Sequence, residues 1–284
     1  MGLVNYSDSS ESEAEPASKK PKLETARSNV LPPLPPQFRD LYSSTVRTST
    51  QDDPALHGGR KRVTPHVAGN WPTHVYLDWT PRPEEYSALQ QLISHIQKPS
   101  GQDTVHSLLE NDLGVRQPLH VSLSRPLSLQ TDDKDVFLEQ VNERSASSEI
   151  SAFAVQPLDL VWHPNEQGTR WFLVLRLQRP AGDELRSLLK MCNSVASHFS
   201  QPLLYSDEAK LSETSTTDAH DSFHISIAWT IQLNQADATS GPVTVNLPNA
   251  LLQTVTTKSI NVSEIKVRIG QDVNCIPLQQ ARKR

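Results

Sequence analysis

The chain has 284 residues, a formal net charge of −5 and a hydrophobic content of 36%, enough for one large domain or two small ones but low for a chain folded throughout. Its two cysteines, Cys192 and Cys275, exclude a disulfide framework and lie in no metal-like spacing, so a reducing compartment is the simpler reading. Residues 1–65 hold nine Lys/Arg and eight Asp/Glu, leaving 18 and 24 in the remainder, and so acidic a folded part does not grip nucleic acid by a broad basic surface.

Taken in chain order, residues 1–65 are rich in Ser, Pro, Glu and Lys without apolar periodicity and read as a disordered or loosely attached tail. The start lacks the apolar core of a signal peptide, and no apolar run approaches membrane length. Within the tail, Lys19-Lys20-Pro21-Lys22 resembles a short nuclear-import signal, which would engage an import factor. Leu31-Pro32-Pro33-Leu34-Pro35-Pro36-Gln37-Phe38 is a polyproline II candidate whose apolar residues can pack on a domain.

From residue 66 onward the pattern is that of a folded domain, expected to run to 284 in two lobes, 66–150 and 151–284. Residues 71–79 alternate as a strand. A helix follows, opened by Pro81 and Pro83, with Tyr86, Leu89, Leu92, Ile93 and Ile96 on one face. Residues 118–125 form the next strand. A second helix spans 131–143, with Asp132 and Asp133 in its first turn and Val136, Phe137 and Val141 buried. Strands are expected over 153–162 and 170–177, then a helix over 183–199 with Leu185, Leu188, Leu189, Cys192, Val195 and Phe199 inward. A polar loop, 206–221, leads to a strand beginning at Phe223, and 260–269 adds another.

The order strand, helix, loop, strand thus occurs twice, and each time the last strand carries one motif. Leu119-His120-Val121-Ser122-Leu123 and Phe223-His224-Ile225-Ser226-Ile227 both read apolar-His-apolar-Ser-apolar. On a strand, side chains two apart share a face, so each copy presents an imidazole and a hydroxyl together. A single His-x-Ser is more often a core histidine, but two copies in matched places are hard to assign to chance. The fold class that follows is α+β: two pseudo-symmetric lobes, each a helix packed on an antiparallel sheet, with the motif strands meeting at a cleft.

Two histidines suit acid-base chemistry near neutrality. To cleave RNA by its own 2′-hydroxyl, one imidazole takes the hydroxyl proton and the other protonates the departing 5′-oxygen. Ser122 and Ser226 can donate to the non-bridging oxygens. No metal or other cofactor is required. The pseudo-symmetry leaves open which histidine is the base. His74 also lies in an alternating strand, but Tyr76 stands where a serine would, so it reads as structural. His220 and His224 have a metal-like spacing for a helix, yet His224 reads as strand and no third ligand is evident.

These motifs resemble the 2H phosphoesterase superfamily, defined by two His-x-Ser/Thr motifs on two pseudo-symmetric lobes. Within it the chain is most similar to the U6 small nuclear RNA phosphodiesterase family, through LPPLPPQFRDLY at 31–42, Gly69-Asn70-Trp71 and Thr73-His74-Val75-Tyr76, and FHISIAW at 223–229. The acidic-serine start NYSDSSESE resembles fungal members. The resemblance implies that His120 and His224 are the catalytic pair and that Ser122 and Ser226 bind the scissile phosphate. It implies a nuclear, monomeric 3′-to-5′ exoribonuclease that trims 3′-terminal uridines or adenosines of U6 RNA and leaves a cyclic or 3′-phosphate end. Tyr205 is a candidate to stack on the terminal base, or else a packing residue; Arg125 and Arg170 are candidates for phosphate contact, or solvated surface. The competing readings are a phosphodiesterase of the same superfamily acting on 2′,3′-cyclic nucleotides or tRNA-splicing products, and a non-catalytic RNA-binding or splicing scaffold.

Overall fold

Alternation in residues 70–79 becomes the central strand of the first sheet. In β1 (Asn70–Trp79) the side chains of Thr73, Val75, Leu77 and Trp79 are buried, while His74, Tyr76 and Asp78 between them stay partly open. The computed structural model describes residues 67, 69–97, 105–111, 113–165, 168–205, 223–231, 233 and 241–280, all within the unit Pro35–Arg284. The expected tail with its 19–22 and 31–38 segments, the 206–221 loop and His220 lie outside these residues.

After β1 comes α1 (Pro83–Gln97), whose first-turn Glu85 accepts from the Arg82 backbone N–H at 2.8 Å and from its guanidinium. A carboxylate there satisfies a donor that the helix itself cannot and suits the positive end of the helix dipole. Then follow β2 (His106–Ser107), β3 (Leu119–Ser122), β4 (Leu127–Gln130), α2 (Lys134–Ser147), β5 (Phe153–Val155), β6 (Pro157–Pro164) and β7 (Trp171–Leu177). The chain closes with α3 (Glu184–His198), β8 (His224–Thr230), β9 (Val243–Thr244), α4 (Asn249–Thr256), β10 (Ile260–Val262), β11 (Glu264–Ile269) and β12 (Asp272–Pro277).

Two five-stranded antiparallel sheets result, one in the order β12-β11-β1-β3 with β4 also on β1, the other β2-β8-β7-β6-β9. The sheets do not divide at residue 150. β11 and β12 return from the far end of the chain to complete the first sheet, and β2 crosses to pair with β8 in the second. The helices interleave in the same way: α1 packs on α4 and α2 on α3, so each helix of one half is covered by a helix of the other. β3 and β8, the two motif strands, lie against each other. Their inner residues Leu119, Val121, Leu123, Phe223, Ile225 and Ile227 are all at most 3% exposed and join one core. Each such side chain contributes roughly 1.5–3 kcal/mol by leaving water.

Several boundaries differ from the sequence expectation. The strands expected over 153–162 and 260–269 each break once, at Gln156 and Ser263, because β5 and β10 pair with each other while β6 and β11 join the large sheets. α2 begins three residues later than expected and runs to Ser147. Its buried stripe is Phe137, Val141 and Ser145, at i, i+4 and i+8, which leaves Val136 on the outer side at 46% exposed rather than buried.

Candidate active site

β3 turns His120 and Ser122 away from the core, and its register on β1 decides what stands beside them. Asp78 lies opposite His120 and Tyr76 opposite Ser122. One strand further, β11 sets Lys266 opposite Tyr76 and Arg268 opposite His74. Directly paired residues share a face of the pleat, so the first sheet presents one polar bank. Within it the Nε2 atom of His74 and Oγ of Ser122 share a hydrogen bond of 3.1 Å. Lys266 Nζ reaches Asp78 Oδ2 at 3.0 Å. The His74 ring lies 5.2 Å from that of Tyr76 and 5.4 Å, edge-on, from that of His120.

The second sheet repeats the motif in other surroundings. Arg176 lies opposite His224 and Val174 opposite Ser226. Arg176 grips Asp159 on β6 through two hydrogen bonds, Nε to Oδ1 being 2.8 Å. The ring of His163 stacks parallel to that of His224 at 5.9 Å. A hollow of about 270 Å³ opens here, lined by His163, Phe172, Val174, His224 and Ser226 among others. An irregularity between Leu173 and Val174 gives β8 one residue more than its partner, Ile227, so that Trp229 returns to the same face opposite Phe172.

The structure thus brings His120 and Ser122 to one wall of the cleft and His224 and Ser226 to the other, on adjacent strands. Protein atoms crowd His120 although its edge opens to solvent. Burial, then the Arg268 cation, then His224 across the cleft lower its pKa to about 4. For His74, burial comes first, then His120 and Arg268, and its pKa falls to about 3. Both rings are therefore neutral at pH 7, and a neutral imidazole can accept a proton. Tyr205 follows α3 in a left-handed backbone conformation, φ 55°, with its ring edge-on to Phe223, the residue before His224, at 5.8 Å. The residue is 36% exposed, and the protein atoms packed around it push its phenol pKa up. Arg170 lies over the Trp229 ring, its guanidinium carbon 4.3 Å from the centroid, and Arg125 is half-buried just past β3.

His74 is where sequence pattern and structure part most clearly. Its pattern reads as structural, yet it touches Ser122 directly. Asp78, Lys266, Arg268 and His163 carry no motif that marks them as site residues. A weaker signal is present: Lys266 and Arg268 alternate with buried Ile265, Val267 and Ile269, so both cations have to share one face. Which strand that face lies beside is not written locally.

The family model HVSL, described as "Uncharacterised conserved protein", matches residues 32–277, and its four letters are those of His120-Val121-Ser122-Leu123. U6 snRNA phosphodiesterase 1 of Neurospora crassa is 36% identical over 233 residues, 74% of this chain and 62% of that protein. The protein of that name from Bos taurus is 30% identical over 236 residues, 81% of this chain and 79% of its own. Among solved structures, Kluyveromyces marxianus Usb1 with uridine monophosphate superposes with a TM-score of 0.51 at 15% identity, covering 73% of this chain and 98% of that one. The α+β fold of paired antiparallel sheets and helices is thereby matched from outside the chain. Motif, register and likeness converge, and the chain belongs to the HVSL family and to that of its U6 snRNA phosphodiesterase 1 relatives.

Proposed function

We propose that this protein is a metal-independent RNA phosphodiesterase of the nucleus, which shortens the 3′ end of U6 small nuclear RNA from 3′ to 5′. The observation that carries the reading is the meeting of two His-Ser pairs across one cleft on β3 and β8. One imidazole of the pair His120 and His224 takes the proton of the penultimate 2′-hydroxyl, and that oxygen attacks phosphorus. The other protonates the departing 5′-oxygen, so the terminal nucleoside leaves and a 2′,3′-cyclic phosphate remains. Ser122 and Ser226 donate to the non-bridging oxygens as charge builds there. Arg268 supplies positive field at a single phosphate, in keeping with a folded part that is acidic overall. Tyr205 offers a ring to the terminal base, a role its strained backbone would fix in place.

The substrate comes from the names of the relatives, and the uridine monophosphate bound by the yeast homologue agrees with a uridine end. The Lys19-Lys20-Pro21-Lys22 cluster supports nuclear import. The test incubates the protein with an RNA ending in uridines and a 3′-hydroxyl, in EDTA, beside a His120→Ala His224→Ala variant. Stepwise shortening by the wild type alone is expected, with cyclic phosphate ends by mass spectrometry. Equal shortening by the variant would overturn the histidine pair, and no shortening by either would overturn the exonuclease.

A further inference from the structure

A serine hydroxyl has one proton and two lone pairs. If Ser122 is to donate to a phosphate oxygen, it has no proton left for His74, whose Nε2 lies 3.1 Å from its Oγ. The hydrogen bond between them must then run the other way. A neutral imidazole carries its proton on one nitrogen only. With the proton on Nε2, His74 donates to Ser122 Oγ and leaves the serine proton pointing into the cleft. With the proton on Nδ1, His74 takes the serine proton, and Ser122 turns only lone pairs towards an anionic substrate.

We propose that His74 is a positioning residue: its Nε2–H donates to Ser122 Oγ, so that the serine's own proton is aimed at the scissile phosphate. The proposal rests on the phosphodiesterase reading above. Three features of the site favour it. The ring is neutral, because burial, His120 and Arg268 all oppose a second proton. The ring is also held, since it stacks on Tyr76 at 5.2 Å and meets His120 edge-on at 5.4 Å. Finally, Arg268 stands directly opposite His74 on β11, a cation that draws an anionic phosphate to the side of the cleft where the Ser122 proton is to be aimed.

The other lobe shows that this is not a requirement of the fold. Relative to Ser226, Val174 takes the place that Tyr76 has beside Ser122. Phe172, two residues before Val174, then takes the place of His74, and it has no proton to give. His74 thus makes the two anion contacts unequal, a fixed donor on one side and a hydroxyl without that support on the other.

The test is a kinetic cycle on a short 3′-hydroxyl oligouridylate with H74A, H74Q, H74F, S122A and the H74A/S122A double variant. H74A and H74F are expected to lower kcat by at least about 10-fold with KM little changed, and by no more than the roughly 10²-fold loss set by S122A. H74Q, which keeps an N–H at similar reach, recovers part of the loss. The double variant is no slower than S122A alone. A full further loss in the S122A background would overturn the proposal, as would an H74F enzyme as fast as wild type. Ring ¹⁵N NMR of the wild type tests the same point without turnover: an Nε2–H tautomer at position 74 is expected, and an Nδ1–H tautomer overturns the proposal. If the wild type itself leaves oligouridylate intact, the phosphodiesterase reading fails; if it cleaves and the cycle is additive, only the role of His74 fails.

Discussion

The two lobes carry the same His-x-Ser strand and surround it differently. Beside His120 and Ser122 stand His74, Tyr76, Asp78, Lys266 and Arg268, while beside His224 and Ser226 stand Val174, Phe172 and His163 around a hollow. Each histidine has an ion pair next to it, yet the signs are exchanged. In the first lobe the acid, Asp78, is on the neighbouring strand and the cation, Lys266, one strand beyond; in the second the cation, Arg176, is near and the acid, Asp159, beyond. A repeated backbone therefore fixes where an imidazole and a hydroxyl go, and the adjacent strand decides what they do. One wall carries the additional cation Arg268, the other the apolar faces of Val174 and Phe172.

The likeness of the lobes is tested most severely at the histidines. His120→Ala and His224→Ala should each lower kcat by roughly 10²–10⁴-fold, with the protein still folded by circular dichroism, because general acid-base help of that order is lost with either. A loss confined to one of them would end the symmetry. The ion pairs test the difference between the lobes. The side chains of Lys266 and Asp78 are only 6% and 15% exposed, against 29% and 30% for Arg176 and Asp159. Asp78→Asn takes the carboxylate away from a buried cation and should cost about 3–5 kcal/mol in urea unfolding. Asp159→Asn should cost no more than about 1 kcal/mol. Equal losses would show that the two pairs are equivalent after all.

The effect of pH is smaller. His74 and His120 have folded pKa values below that of a free histidine. The unfolded chain then binds more protons than the folded one as pH falls below about 6.5. Stability is full above that value and declines towards the folded pKa values of about 4 and 3. For His74 the slope is at most about 1.4 kcal/mol per pH unit. Melting temperature should fall between pH 7 and pH 5, and H74F should flatten part of that fall. A variant with an unchanged slope would remove His74 from the account.

Much of this site is legible in the amino-acid sequence, and the reason is periodicity. Alternation in 119–123 and 223–227 shows which side chains share a face, and the spacing of Leu185, Leu188, Leu189, Cys192 and Val195 marks the inner side of α3. What alternation cannot show is the neighbour. Two residues after His74 stands Tyr76 rather than a serine, and its partner Ser122 comes from another strand. Lys266 and Arg268 reach the site only because β11 pairs with β1 rather than continuing from β10. The break at Ser263 that permits this involves no proline or glycine, the residues that most often mark such places. Val136 departs from expectation for a related reason, since in a weakly amphipathic helix a one-residue rotation moves a side chain from the core to water.

The return of β11 to β1 also orders events in time. Chains emerge from the ribosome N-terminal end first, at about 5–20 residues per second. Until the last part of the folded region is made, β1 has an unpaired edge where β11 will lie, and Asp78 has no Lys266. Pairings so distant in sequence are slow to form and leave open strand edges exposed meanwhile. The second sheet, whose strands lie between 106 and 244, can close earlier, so the wall with His224 is ready before the wall with His120. A ribosome halted before β11 would hold both histidines and no finished cleft between them.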